Sequence, residues 1–249
     1  METFFICVLC GFLAQLVDGT LGMAYGVSSS TLLQAMGQSP AMASFCTHTA
    51  EIFTTLASGV SHFAMKNIDR SLFLRLIIPG VIGGIAGACL LTGMDDSVIS
   101  PIVSVYLILM GSVIFLKAFR NPRSQPRKIG NGVYPLALIG GFSDSIGGGG
   151  WGPVVTSTLV AADCDVRKTI GSVNAAEFFV TLAESAAFFV TVGNPGEILP
   201  SAAGLIAGGI AASPAAAWLC RRIPGRPLIA VVGAGIVVLN GWRLWITLR

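Results

Sequence analysis

The sequence predicts an all-α membrane protein made of two inverted-topology repeats. Each repeat would join a short, re-entrant-like helical hairpin with a glycine-rich break to three transmembrane helices. Three observations carry this reading. The 249 residues are 53% hydrophobic and 11% charged, against roughly 25% charged in soluble domains. So few polar groups cannot cover a water-facing surface, and such hydrophobicity excludes disorder. The apolar segments run short, short, long, long, long, and then repeat that order. The two halves also match one another residue by residue.

The elements follow in order. Residues 4–17 and 22–36 form the first short pair, and 41–65, 71–92 and 98–119 the first three long segments. A basic linker over residues 120–130 holds Arg120, Arg123, Arg127 and Lys128. Residues 133–142 and 151–162 form the second short pair, and 168–192, 198–220 and 227–248 close the chain. As helices, segments of about 20–25 residues span a hydrocarbon core of about 30 Å. Segments of about 10–15 residues reach only about 15–22 Å and read better as half-helices, although full spans stay open. The expected units are therefore repeat 1 (1–119), linker (120–130) and repeat 2 (131–249), together one membrane domain. The start carries Glu2 and no nearby Lys or Arg, so no removable signal peptide is expected.

A shift of 126 residues superposes the halves. Asp18 falls on Asp144, Gly22 on Gly148, Gly26 on Gly152 and Glu51 on Glu177. Positions 18–57 show 11 identities in 40 without a gap, where chance gives roughly 3. Charge then sets topology. Lys66, Arg70 and Arg75 surround the loop after the first long span, whereas the corresponding loop of the second half, 193–197, has no base. The next loops reverse: Asp95 and Asp96 in the first half, and Arg221, Arg222 and Arg226 in the second. Basic loops stay cytoplasmic, so equivalent loops lie on opposite sides and the linker lies inside. Both termini then fall outside, against which Arg243 and Arg249 are a mild violation.

Inverted repeats with interrupted helices are the architecture of many secondary transporters, with sites where the repeats meet. The breaks at residues 18–26 and 144–152 fit that plan, because irregular backbone at membrane depth is tolerated only in protein or around a cavity. Free N–H groups at the helix start after each break favour an anion. The candidate substrate residues are Gly22, Tyr25 and Gly26 in the first break, and Gly148, Gly149, Trp151 and Gly152 in the second. Thr47, His48, Ser172 and Asn174 on the long spans complete the set. Close helix packing is the structural alternative for the glycines, and bonding back to the helix is that for the hydroxyls. Four carboxylates, Asp18, Glu51, Asp144 and Glu177, are candidates for coupling or for structure. An intramembrane carboxylate is costly and marks a functional site by default, but Asp18 and Asp144 also suit helix capping. Glu184 has no acidic equivalent, since Ser58 occupies its repeat position, and is read as facing polar neighbours.

No metal and no cofactor is expected. His48 and Glu51 alone are too few ligands for zinc, the glycine breaks lack a Lys-Ser/Thr sequel, and the six cysteines show no paired motif. Nothing marks an enzyme, Cys46 near His48 being the sole nucleophile candidate. A net charge of +3, with the bases clustered in short loops, argues against nucleic acid as a partner.

Residues 11–26 (GFLAQLVDGTLGMAYG), 44–51 (SFCTHTAE) and the second break, 140–152, resemble the sulfite exporter TauE/SafE family. The likeness covers almost the whole chain and is most specific in the first half. It implies transport of a small sulfur-containing or organic anion, of the sulfite, thiosulfate, sulfonate or sulfoacetate type, across the cytoplasmic membrane, with protons as the coupling partner. An uncoupled anion channel and a cation transporter using the carboxylates stay open. So does the oligomeric state, a homodimer being one option.

Overall fold

The computed structural model describes residues 2–21, 24–64, 66–119, 130–162, 164–192, 195–220 and 225–247. Gly22 and linker residues 120–129 lie outside the described residues. All regular structure described is helical. The first half contains α1 (Glu2–Leu21), α2 (Tyr25–Ala35), α3 (Pro40–Ala64), α4 (Arg70–Gly93) and α5 (Asp96–Lys117). The second contains α6 (Val133–Gly147), a π-helical turn (Gly152–Thr156) running into the short α7 (Ser157–Ala161), α8 (Val166–Thr191), α9 (Leu199–Cys220) and α10 (Gly225–Thr247). A 3₁₀ turn, Pro195–Ile198, precedes α9.

The starts of α4 and α8 are set by short polar side chains. Asp69 accepts bonds from the Ser71 and Leu72 amides at 2.9 and 3.2 Å and opens α4. Asp165 accepts from the Lys168 amide at 2.9 Å and opens α8. In each case a carboxylate satisfies amides that have no partner within the helix. Among the described residues, α4, α5 and α8 contain stretches long and apolar enough to cross a membrane. Large apolar side chains such as Phe53, Phe63, Ile78, Val190 and Trp242 stand exposed on the outer surface, as a bilayer rather than water requires.

Three elements differ from expectation. α6, expected as residues 133–142, continues through Asp144 to Gly147. The first short segment was expected as residues 4–17, but α1 continues through Asp18 to Leu21 and covers 20 residues, about 30 Å at 1.5 Å per residue. Its backbone stays helical past Asp18 because that carboxylate acts on residues beyond the break instead of stopping its own helix. The segment after the second break starts as a π turn rather than an α-helix. Pro153 lies in that turn and has no N–H to give to a regular ladder.

The packing is reciprocal between halves. α1 lies on α9, α6 on α4, α3 on α8 and α5 on α10. When the halves are exchanged by the 126-residue shift, the first two pairings become each other and the last two map onto themselves. Glycines set the closest approaches. A side chain at Gly11 or Gly208 would run into the backbone of the facing helix at Leu205 or Val8, and one at Gly83 or Gly141 into Leu138 or Gly80. Small residues let membrane helices touch backbone to backbone, where packing rather than the hydrophobic effect must hold them.

Candidate functional site

The two glycine breaks meet at the centre of the fold. A Cβ at Gly149 would collide with the Gly26 and Val27 backbone, and one at Gly26 would lie 2.6 Å from the Gly148 carbonyl oxygen and 2.8 Å from Glu51 Oε1. Gly148 ends α6 with φ +67°, a left-handed C-cap that glycine adopts without the penalty of a Cβ.

Each aspartate ties the helix before its break to the chain after it. Asp144 Oδ1 accepts from the Gly150 amide at 2.5 Å and the Trp151 amide at 2.9 Å. Asp18 takes the amide of Tyr25, the repeat equivalent of Trp151, in the same way. The capping role expected of the aspartates is thus performed from the end of the preceding helix. The two aromatics anchor the far side: Tyr25 donates its hydroxyl to the Leu205 carbonyl at 3.2 Å and Trp151 its indole N–H to the Val173 carbonyl at 3.1 Å.

A small cavity of about 20 Å³ lies beside this junction. Asp18, Glu51, Asp144 and Glu177 all line it. So do Tyr25, Gly26, Gly149 and Gly152, together with Ala24, Val27, Gly150 and Pro153. Ten of these twelve residues form five pairs separated by 126, so the cavity sits between the halves and draws on both equally. As it stands it has room for about one water molecule.

Other candidates lie elsewhere. Thr47 is buried, and its hydroxyl has no partner among the described residues. Gly148 and Trp151 do not line the cavity, and Trp151 is buried among Val155, Val173 and Leu76. Ser172 accepts from the Asp69 amide at 2.8 Å and so ties α8 to the start of α4. Asn174 donates to Ser58 Oγ at 3.0 Å, joining α8 to α3.

His48 is fully buried and does not line the cavity. Its Nδ1 lies 3.0 Å from Glu51 Oε2 and 3.3 Å from Glu184 Oε2. Its Nε2 lies 3.2 Å from the Asp144 carbonyl oxygen, and the ring stacks on Phe188 at 6.2 Å. Glu184 is the member that sequence reading left aside. It is fully buried and packs against Gly84. Its signal was its place seven residues after Glu177, two helical turns along the same face. His48, Asp144 and Glu184 bring ligand-type atoms within 4.8 Å of one another. With Nε2 on a carbonyl oxygen and Nδ1 on carboxylates, however, the ring has both nitrogens committed to hydrogen-bonding partners.

An all-helical, multi-pass membrane protein with a small acid-lined cavity at the junction of two broken helices belongs among the membrane transport proteins in architecture. The comparisons give the family: the chain belongs to the sulfite exporter TauE/SafE family, whose model matches residues 7–242. It is also 37% identical over 250 residues to the probable membrane transporter protein YtnM of Bacillus subtilis (strain 168), covering 98% of this chain and 83% of that protein. No solved structure matches it.

Proposed function

We propose that this membrane transporter carries a small sulfur-containing anion, of the sulfite, thiosulfate, sulfonate or sulfoacetate type, by alternating access with proton coupling. The observation that carries the reading is the cavity lining: four carboxyl groups, paired across the repeats, with backbone of both breaks and no base. Several ionised carboxylates facing an anion in a water-poor site would repel it, and burying uncompensated charge costs several kcal/mol. An anion therefore binds when protons have neutralised the carboxyls, which couples the two. The N–H groups opening α2 are the donors available to it. The family name is that of a sulfite exporter, which supports the substrate class.

In this reading residues 1–119 and 131–249 are repeats of opposite orientation in the cell membrane, and 120–130 is a cytoplasmic linker. The reciprocal pairing of helices supports a rocking of one repeat against the other around the cavity. α6, at 15 residues, would enter the bilayer without crossing it fully.

The same acid lining favours a second reading, a cation substrate held by the carboxylates directly. Thermal denaturation of the purified protein in detergent separates the two, because a ligand that binds the native state raises its stability. The panel is sulfite, thiosulfate, sulfate, sulfoacetate, taurine, simple carboxylates, Na⁺ and Mg²⁺ at two pH values. Stabilisation by a sulfur anion, larger at the lower pH, is the expected result. Stabilisation by cations alone, larger at the higher pH, would overturn the anion reading.

A further inference from the structure

We propose that His48 and Glu184 form a proton-holding site behind the cavity, with His48 passing a proton between Glu51 at the cavity wall and the sealed Glu184. This deepens the transport reading above and rests on its proton coupling. Nε2 of His48 faces a carbonyl oxygen at 3.2 Å, which only accepts, so Nε2 carries a hydrogen. Nδ1 faces two carboxyl groups, Glu51 at 3.0 Å and Glu184 at 3.3 Å. One nitrogen carries one proton and can satisfy one ionised carboxylate at a time. The other carboxyl must then be protonated, because an unpaired buried carboxylate is too costly.

Two further observations support a working rather than a structural role. Glu184 is fully buried beside His48 and the Ser145 hydroxyl, which is itself donated to the Gly84 carbonyl at 2.6 Å, so neither of its oxygens makes a well-formed hydrogen bond among the described residues; Asp144 Oδ2 also has no partner. These acceptors lack a hydrogen that a proton would supply. The repeat also contains its own control. The shift of 126 converts His48 into Asn174 and Glu184 into Ser58, and those two residues touch as well, Asn174 donating to Ser58 Oγ at 3.0 Å. The fold therefore accepts a neutral pair at this contact. One copy carries Asn and Ser, the other two titratable groups.

The proton step balances without a further reagent. With the ring as imidazolium paired to an ionised Glu184 and Glu51 protonated, Nδ1–H breaks as Glu184 gains O–H, leaving a neutral ring between two neutral carboxyls. The O–H bond of Glu51 then breaks as Nδ1–H forms again, leaving the Glu51 carboxylate paired with imidazolium and Nε2–H unchanged. The titratable groups facing the cluster are Glu51 on α3, Glu177 and Glu184 on α8, Asp144 on α6, Asp18 on α1, Tyr25 on α2 and Tyr106 on α5. All are acids or phenols, so no neighbouring base removes the need for a proton.

The test uses the full chain in lipid vesicles with a trapped pH dye. Thiosulfate and sulfoacetate serve as probes, because protonated sulfite forms a permeant gas. Exchange of labelled anion and proton movement are measured separately. Glu184→Gln, and the double variant His48→Asn with Glu184→Ser that copies the neutral pair, are expected to keep anion exchange and move fewer protons per anion than the wild type, because the cavity carboxyls still titrate. A wild-type ratio of protons to anions in both would overturn this inference and leave the transport reading standing. Wild-type anion transport without proton movement would overturn the coupling and this inference together. Loss of exchange in folded variants would place the pair in the anion path and overturn the proposal. Infrared difference spectra of the wild type need no variant: thiosulfate should shift the carbonyl band of a protonated carboxyl, and a silent band would sink the idea.

Discussion

At the scale of single residues, the junction of the breaks is decided by atoms that are missing. Gly149 lies against the Gly26 and Val27 backbone with no room for a Cβ. Gly149→Ala should cost roughly 1–3 kcal/mol through overpacking, read as lowered thermal stability in detergent. Gly93→Ala is the comparison, since nothing lies within 4 Å of that position and a helical alanine is favoured; equal behaviour of the two would deny the tight contact. Glu51 makes a prediction of opposite kind. If its carboxyl must be neutral for an anion to bind, wild-type binding rises as pH falls. A glutamine is neutral at every pH, so Glu51→Gln should flatten the profile and bind the anion better than wild type at high pH. An unchanged pH profile by calorimetry would make Glu51 structural. The carboxylates were legible because acid in an apolar stretch stands out. The pairing of His48 with Glu184 was not, because it joins two helices that no spacing rule connects, and Ser172 and Asn174 proved to sit at helix–helix ties because hydroxyl and amide groups look alike in either role.

At the scale of elements, each break is a joint held by one carboxylate. Asp144 satisfies two backbone amides from the end of the preceding helix, so removing it leaves two buried donors without a partner. Asp144→Ala should cost about 2 kcal/mol, whereas Asp144→Asn, which keeps an acceptor oxygen, should lose less than half of that. Equal losses on denaturation would show that charge, not the bond, is what matters. The first break is built less comfortably: Ala24, at the start of α2, has φ +93°, a region that costs a non-glycine residue about 1 kcal/mol. Its repeat equivalent is Gly150. Ala24→Gly should therefore be tolerated or slightly stabilising in the same assay, and a clear loss would mean that its methyl group packs usefully. The long helices could be read from apolar length alone. The end of α1 could not, because Asp18 looks like a stop signal in sequence yet exerts its capping from inside the helix, and the π turn could not because Pro153 fits an ordinary helix start equally well.

At the scale of the whole molecule, duplication was legible and docking was not. Eleven identities in forty positions say that the halves share a fold, but not that α1 of one half lies on α9 of the other. That information sits in glycines 11, 204 and 208 on one side and 83, 87 and 141 on the other, which a sequence scan reads as generic small residues. Charge placement has a consequence at this scale: the halves should face opposite sides of the membrane. Ser71, beside the basic loop that opens α4, and Gly196, before α9, occupy near-equivalent places in the two repeats, and both are exposed. In a background with the six native cysteines replaced, Ser71→Cys should react with a membrane-impermeant maleimide only after cells are permeabilised. Gly196→Cys should react on intact cells, as should Ser97→Cys at the acidic start of α5. Labelling of Ser71→Cys and Gly196→Cys from the same side would mean parallel repeats. A cavity fed equally by both halves could then not open alternately to the two sides by exchange of their roles, because in that arrangement the symmetry would carry each opening back to its own side.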